Sequence, residues 1–280
     1  MKLTEMKELL ERHEIQLTKS LGQNFLHDSN LLDKIAAAGE LTAADQVLEI
    51  GPGLGPLTER LIQSGAHVLA VELDGRLVEI LRDRFGAAEN LELLCGDGMK
   101  VVKEREDWGA WKMVANLPYS SASAILVEAA LKPACFRKMV VTLQWEVVNR
   151  IAASAGTADY GLLTLLLQLR YRVTQRFKIR SGSFFPPPEI DSGVIVLERR
   201  AEEVLPVELH PLFVEVVKQG FSQRRKMMKK LLKMKWEPER LDEAFRRLNL
   251  PEGIRAEKVT LKQFAILTEL LHDSLTERAR

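Results

Sequence analysis

Short apolar runs alternate with helical patterns over the first half of the chain. The runs are partly β-branched and have the length of buried parallel strands. They cover residues 47–51, 67–72, 91–95, 112–116 and 138–143. Between these runs, apolar residues recur at helical spacing, at about 57–64, 75–85 and 122–131. This alternation predicts an α/β fold, a Rossmann-like sheet with right-handed crossovers.

The pattern changes in the second half of the chain. Two further strand candidates, 171–179 and 193–199, flank the turn-rich stretch SGSFFPPPEIDS and predict a hairpin-like addition at the far edge of the sheet. After the linker-like residues 201–208, the pattern is helical at about 210–221, 223–234, 238–248 and 261–275. We therefore predict a first domain over residues 1–203, with a 1–20 extension, and a small all-helical domain over 204–280.

Composition excludes several classes of protein. Hydrophobic residues make up 46% and charged residues 28% of the 280 positions, as in globular proteins. No run approaches the roughly 18 apolar residues of a membrane span, and the N-terminus lacks the apolar region of a signal peptide. The two cysteines, Cys95 and Cys135, fit a reducing cytoplasm, and the scattered histidines predict no metal site. No exposed apolar seam stands out, which favours a monomer.

Basic residues are concentrated in two segments although the formal net charge is only +1. Residues 223–235 contain seven Lys and Arg and no acidic residue, and residues 170–180 contain five more. Such clusters favour contact with nucleic acid phosphates, although a basic helix face is commonly just solvated. The candidate RNA contacts are Arg224, Arg225, Lys226, Lys229 and Lys230.

A glycine-rich turn, EIGPGLG at residues 49–55, follows the first apolar run. Such a turn lets the backbone approach a ligand closely. The spacing of Gly51, Gly53 and Gly55 differs from the dinucleotide fingerprint. With Glu49 before it, the turn resembles motif I of Rossmann-like methyltransferases, which implies S-adenosylmethionine as cofactor; a carboxylate there suits its ammonium group. The alternative is an ordinary turn between strand and helix.

Two acidic residues end the next two predicted strands. Glu72 closes the second strand and is suited to accept hydrogen bonds from both ribose hydroxyls, and Asp97 follows the third and is suited to the adenine amine of the cofactor. Each alone is more often a helix cap. Because ligands bind at the carboxyl ends of parallel strands, the combination with the glycine turn favours a cofactor site.

The tetrapeptide Asn116-Leu117-Pro118-Tyr119 follows the fourth predicted strand. It resembles the motif of methyltransferases that act on amines conjugated to a ring. The side-chain carbonyl of Asn116 and the main-chain carbonyl of Leu117 can accept the two N–H bonds of such an amine, and Pro118 stiffens the corner. Tyr119 can stack on the base and stabilise the cationic product of transfer. Catalysis would rest on orientation and electrostatics.

The segment FFPPPEIDS, residues 184–192, offers a second aromatic side chain. Phe184 would face Tyr119 across a base that has left its stack. The alternative is a rigid connector with a buried aromatic residue.

From about residue 20 to residue 271, the chain resembles the family of ribosomal RNA adenine N6,N6-dimethyltransferases, of the bacterial small-subunit type. The motifs LGQNFLHD, EIGPGLGPLT, VELD, NLPY, FFPPPEIDS, GFSQRRKMMKKLL and IRAEKVTLKQF occur in family order. The resemblance implies that Asn24 and Leu26 touch the cofactor, and Asn116 is assigned to the cofactor site as well as to catalysis. It also implies a substrate of two adjacent adenines in a hairpin near the 3′ end of small-subunit rRNA, within an immature 30S particle, as a step in its assembly.

The chain departs from the family pattern at three places. Residues 120–124 read SSASA, Trp145 stands where the family usually has Lys or Arg, and Leu162 replaces a common Arg. These differences bear on the RNA contacts more than on the chemistry.

Three other functions compete with this interpretation. The first is a large-subunit rRNA adenine methyltransferase, against which the GFSQRRK segment argues. The second is a non-catalytic RNA-binding assembly factor on the same fold, against which the intact motifs argue. The third is an NAD-dependent oxidoreductase, which conflicts with the glycine spacing.

Overall fold

The structure is a computed structural model that describes residues 1–17, 23–223 and 225–276, with side chains described to His272 in the last helix. The strands are β1 Phe25–Leu26, β2 Gln46–Ile50, β3 His67–Glu72, β4 Leu91–Cys95, β5 Trp111–Asn116, β6 Lys138–Gln144, β7 Tyr171–Ile179, β8 Phe184–Phe185 and β9 Ser192–Arg199. The α-helices are α1 Leu3–Arg12, α2 Ser29–Ala38, α3 Pro56–Gln63, α4 Gly75–Phe85, α5 Gly98–Glu104, α6 Ala122–Leu131, α7 Trp145–Ile151, α8 Leu162–Gln168, α9 His210–Gly220, α10 Met228–Leu232, α11 Pro238–Arg247 and α12 Leu261–Thr276.

Within the described residues, seven strands form one sheet in the order β4-β3-β2-β5-β6-β9-β7. Strands β2 to β6 run parallel to their neighbours, with helices as crossovers, and β9 pairs antiparallel with β6. The order reverses between β2 and β5, which is the switch point where ligands bind in such sheets. The predicted α/β class, its five parallel strands and the β7–β9 addition at the far edge are confirmed.

The buried core is aliphatic because the central strands are covered on both faces. Val47, Val68, Val114 and Val140 from four neighbouring strands are fully buried in one cluster. Aspartates cap three helices: Asp28, Asp74 and Asp97 accept backbone N–H groups in the first turns of α2, α4 and α5. The caps fix where each helix begins, and therefore shape the loops at the carboxyl edge of the sheet.

The chain forms two compact units. The first comprises Met1–Val148 and Arg172–Arg199, and the second Asn149–Tyr171 and Arg200–Arg280. The last crossing falls close to the predicted boundary at 203, whereas residues 149–171 group with the helical unit. The division into a catalytic and an RNA-binding domain stays a prediction.

One helix of the second unit is shorter than predicted. The pattern at 223–234 predicts a helix throughout, but α10 begins at Met228, and Met227 before it is extended. The N–H of Met228 donates to the carbonyl of Ile254 at 2.8 Å, and this long-range backbone bond fixes the start of the helix. Local periodicity carries no signal of such pairing.

Candidate functional site

A cavity of about 290 Å³ lies at the carboxyl ends of β2, β3 and β5. It is contained in the first unit, and its floor is the switch point of the sheet. The predicted site residues that line it are Asn24, Leu26, Gly51, Gly53, Glu72, Asp97, Asn116, Leu117, Pro118 and Tyr119. The fold thus brings together residues that are up to 95 positions apart in the sequence (24 to 119).

The glycine turn forms the cavity wall between β2 and α3. Gly51, Gly53 and Gly55 have φ of +71°, +61° and +80°, a region that other L residues rarely adopt. A Cβ on Gly53 would lie 2.6 Å from the ring of Phe25, so even a methyl group would displace that ring. Gly55, which precedes α3, is the predicted cofactor residue that does not line the cavity; it shapes the turn.

Glu72 closes β3 beside this turn. Its carboxylate accepts the N–H of Gly53 and the N–H of Asp74, both at 3.0 Å. Burial raises the pKa of Glu72, while these backbone hydrogen bonds oppose the rise. The carboxylate therefore holds the turn in shape and still has lone pairs for a ligand that donates.

Asn24 and Asp97 line the cavity on opposite sides, at the carboxyl ends of the strands. The carbonyl of Asn24 accepts a hydrogen bond from Nδ2 of Asn116 at 3.0 Å. Asp97 is exposed, and its side chain caps α5 by accepting the N–H of Met99 at 2.8 Å. Leu26, 2% exposed, supplies an apolar wall.

The Asn116–Tyr119 corner packs against the glycine turn. A Cβ placed on Gly51 would lie 3.7 Å from the main-chain oxygen of Asn116 and from Cδ of Pro118. Because Nδ2 of Asn116 is committed to Asn24, the orientation of the amide is fixed. Its Oδ1 is buried and has no hydrogen-bond partner among the described residues. A buried acceptor of this kind costs about 1–3 kcal/mol unless a ligand satisfies it.

Two further residues belong to this site: Ser192, which lies outside the predicted set, and Glu49, which the sequence places just before the glycine turn. The Tyr119 hydroxyl shares a 2.5 Å hydrogen bond with Oγ of the buried Ser192, and burial raises the pKa of Tyr119. Glu49, 1% exposed, lines the cavity below the glycine turn. The motif that contains Ser192 is visible in the sequence, but its contact with Tyr119 depends on the antiparallel return of β9, which local patterns do not encode.

Phe184 does not line the cavity. It is 2% exposed and packs in the apolar cluster that contains Leu26, with which β8 pairs it. These contacts match the alternative of a buried aromatic connector and do not favour a stacking platform opposite Tyr119.

The predicted RNA-contacting residues lie in the second unit and differ in exposure. Arg225, Lys226 and Lys230 are not buried. Lys229 is buried, and its ammonium group pairs with Asp242 at 2.8 Å and Glu252 at 2.7 Å. Its charge is therefore neutralised within the protein, and these contacts do not support an RNA contact at Lys229. Arg224 lies outside the described residues.

Over the part of the chain that the structure describes, no group of three or more His, Cys, Asp or Glu is placed to hold a metal ion. No helix among the described residues is long and apolar enough to cross a membrane.

Comparison with known proteins assigns the chain to a family. The profile of the family "Ribosomal RNA adenine dimethylase" matches residues 15–273. The ribosomal RNA small subunit methyltransferase A of Clostridium botulinum (strain Okra) is 34% identical over 274 residues, covering 96% of this chain and 99% of the relative. The protein of that name from Geobacter sulfurreducens is 37% identical over 262 residues, covering 91% and 95%.

Solved structures agree with the fold. The 23S rRNA methyltransferase ErmE, at 27% identity, has a TM-score of 0.69 over 89% of this chain and all of its own. A dimethyladenosine transferase from Plasmodium falciparum, at 24% identity, has a TM-score of 0.75 over 87% of this chain and 95% of its own. The predicted Rossmann-like methyltransferase fold and the predicted family resemblance are confirmed. The chain belongs to the ribosomal RNA adenine dimethylase family.

Proposed function

We propose that this protein is an S-adenosylmethionine-dependent rRNA methyltransferase that dimethylates the N6 amine of two adjacent adenines near the 3′ end of small-subunit rRNA. Its family and its small-subunit relatives support the reaction and the rRNA class. The finer parts of this proposal concern substrate and setting. We propose that the two adenines are adjacent in a hairpin, that the substrate is the immature particle, and that methylation is a step in its assembly. We also propose that the protein acts in the cytoplasm as a monomer.

One observation carries the proposal. Oδ1 of Asn116 is a buried acceptor without a partner among the described residues, held in place by the bond from Nδ2 to Asn24. An exocyclic amine is the kind of donor that such an acceptor lacks. The main-chain carbonyl of Leu117 is the second acceptor of the corner, so the two together can hold both N–H bonds of one amine.

The residues of the cavity fit the proposed cofactor. Gly51 and Gly53 line the cavity with backbone in a positive-φ turn, and Glu72 offers acceptor lone pairs for a ribose. Asp97 suits the adenine amine, and Asn24 and Leu26 complete the wall. When bound, S-adenosylmethionine supplies an electrophilic methyl group on a sulfonium.

The protein's own contribution is orientation and electrostatics. Asn116 and the Leu117 carbonyl draw the amine hydrogens away from the ring plane, which frees the nitrogen lone pair for direct displacement. Tyr119, anchored by Ser192, presents its ring as a stacking surface and stabilises positive charge that develops on the base. The methylated amine then loses a proton without a strong general base.

We propose that the basic residues Arg225, Lys226 and Lys230, whose side chains are not buried, bind RNA phosphates. The logarithm of the binding constant falls linearly with the logarithm of the salt concentration. Removing one phosphate-binding charge should make this slope shallower by nearly one. Replacing all three by Gln should weaken binding to small-subunit particles and flatten the salt slope, measured by filter binding. Lys229 is left unchanged in this variant, because the ion pair between Lys229 and Asp242 connects α10 to α11.

The decisive experiment incubates the protein and labelled S-adenosylmethionine with small subunits that lack adenine methylation, followed by nucleoside analysis. We expect N6,N6-dimethyladenosine in small-subunit rRNA and none in large subunits treated in parallel. Labelled large-subunit rRNA would favour the alternative substrate, and no labelled nucleoside in either would contradict enzymatic function.

A further inference from the structure

Glu49 is a buried carboxyl group at the end of β2, on the floor of the cavity. It is 1% exposed, and Oε2 has no hydrogen-bond partner among the described residues. The described residues also place no lysine or arginine within ion-pair distance of it. A lone ionised carboxylate is costly in such surroundings, so the group stays neutral unless a cation approaches.

The groups that face Glu49 reinforce this state. The pKa of Glu49 is raised to about 8: burial is the main cause, the Thr58 side chain from α3 opposes the rise, and the Glu72 carboxylate from β3 adds to it. From β5 the polar group at the same cavity is the neutral Asn116, and the other acid of the lining is Asp97. No cationic side chain appears among the residues that line the cavity, in the part of the chain that the structure describes.

The proposed reaction brings a cation into this cavity and removes it again. S-adenosylmethionine carries a sulfonium charge that the product, S-adenosylhomocysteine, lacks, whereas both carry the same amino acid group. A carboxyl group beside the cavity therefore meets a different charge before and after methyl transfer. The electrostatic attraction between two unit charges in a partly dry site is worth far more than in water.

Resting on the proposed function, we propose that Glu49 releases its proton to solvent when the sulfonium cofactor binds and regains one when the neutral product remains. Only an O–H bond breaks and re-forms, and no electrons move between molecules. The ionised Glu49 then attracts the charged cofactor, whereas the neutral Glu49 gives the product no such attraction. Glu49 is thus a specificity-determining residue that favours cofactor over product.

Calorimetric binding in two buffers of different ionisation enthalpy tests this mechanism, because it counts the protons released. At pH 7, about nine-tenths of Glu49 carboxyls carry a proton, given a pKa of about 8. Binding of S-adenosylmethionine should release close to that fraction of a proton beyond the release seen with Glu49→Gln. At pH 9 the excess should fall to about one-tenth, and with S-adenosylhomocysteine it should be smaller at both pH values.

The outcomes separate the two proposals. Glu92→Gln, which changes an exposed glutamate on β4, is the matched control and should release as many protons as the unchanged protein. Equal release from the unchanged protein and Glu49→Gln, or equal excess for cofactor and product, would overturn the role of Glu49 while cofactor binding stands. Absence of any cofactor binding by the unchanged protein would instead overturn the proposed function. If Glu49→Gln does not fold, the pH 7 to pH 9 difference of the unchanged protein decides alone: a constant count contradicts the proposal.

Discussion

The two ends of the central sheet treat buried charge in opposite ways. At the amino ends of β5 and β6, Lys112 and Lys138 are buried, but each is ion-paired: Lys112 with Asp45 at 3.1 Å, and Lys138 with Glu40 at 2.8 Å and with Glu198. We call this the paired edge. At the carboxyl ends of β2 and β5, which we call the open edge, buried polar groups are left without partners among the described residues.

The open edge contains Oε2 of Glu49 and Oδ1 of Asn116, and it surrounds the cavity. The same sheet can satisfy its buried charges, as the paired edge shows, so unpaired groups at the other end are not a general property of this core. Buried polar groups without partners are expensive, and their position around the cavity marks where a ligand completes the structure.

The two edges also respond to pH in separate ranges. The partners Glu40 and Asp45 have lowered pKa values. Lys138 is the main cause for Glu40; for Asp45, burial raises the pKa, but Thr42 and Lys112 together outweigh burial. Their stabilisation is present above the unfolded pKa of about 4 and is lost as pH falls. Glu49 and Glu72 have raised pKa values, so their stabilisation is present below the unfolded pKa and is lost as pH rises.

Breaking the paired edge should have the largest effect. Lys112→Met leaves Asp45 buried without its cation, which should lower the free energy of unfolding by about 3–4 kcal/mol, measured by urea denaturation. Cofactor affinity should be unchanged because the change lies at the other end of the sheet. Lys100→Met, which removes an exposed pair with Glu104, is the control and should cost less than about 1 kcal/mol. Equal effects of the two changes would contradict the distinction between buried and exposed pairs.

Loss of the Glu49 proton at the open edge should lower the free energy of unfolding as pH rises. Between pH 4.5 and 8 the folded protein retains the Glu49 proton and the unfolded chain does not, so the free energy of unfolding falls across this range. From pH 5 to 8 the loss should be on the order of 3 kcal/mol. Glu49→Gln should flatten the curve, measured by thermal unfolding at a series of pH values. A curve of unchanged slope in that variant would show that Glu49 ionises in the folded protein near its usual pKa.

Removing the unpaired acceptor should affect turnover rather than stability. Asn116→Ala takes away Oδ1, which should lower turnover at least about 100-fold, or about 2.7 kcal/mol in activation free energy. Cofactor affinity should change by less than about threefold, because the remaining walls are intact. Single-turnover methyl transfer and equilibrium binding measure the two quantities. Near-normal turnover would remove Asn116 from its proposed role.

The smallest effect concerns the anchor of the stacking ring. Ser192→Ala and Tyr119→Phe each remove the same hydrogen bond, worth about 0.5–1.5 kcal/mol, and should raise the KM for RNA about two- to tenfold. The double variant should be no worse than either single variant, measured by steady-state kinetics. Thr4→Ala, which changes an exposed hydroxyl on α1 that does not line the cavity, should leave KM unchanged. Additive losses would mean that the two side chains act separately.

The open edge is more predictable from the sequence than the paired edge. Gly51, Glu72, Asp97 and Asn116 each lie at or just after the end of a strand, and parallel strands bring their carboxyl ends together, so topology alone gathers them. Lys112 and Lys138 begin predicted strands, but their partners come from a loop and from the antiparallel β9. Such partners depend on long-range packing that local patterns do not encode.

Two residues lie in surroundings that differ from those their predicted roles suggest, for the same physical reason. The sequence predicts Phe184 at the cavity because aromatic residues beside prolines suggest a rigid platform, yet its pairing with Leu26 in a two-residue ladder buries it. The basic run predicts that Lys229 faces RNA, yet this lysine pairs with acids from α11 and from the loop after it. In both cases distant segments of the chain decide the environment of the side chain.

The central claim is that the open edge is completed by cofactor and adenine. The crystal structure of the protein with S-adenosylhomocysteine and adenosine tests this most directly. We predict the cofactor product against Gly51 and Gly53 beside Glu72, with the adenine amine within hydrogen-bond distance of Oδ1 of Asn116. Ligands bound elsewhere, or an Asn116 amide that remains unpaired with both ligands present, would contradict the account.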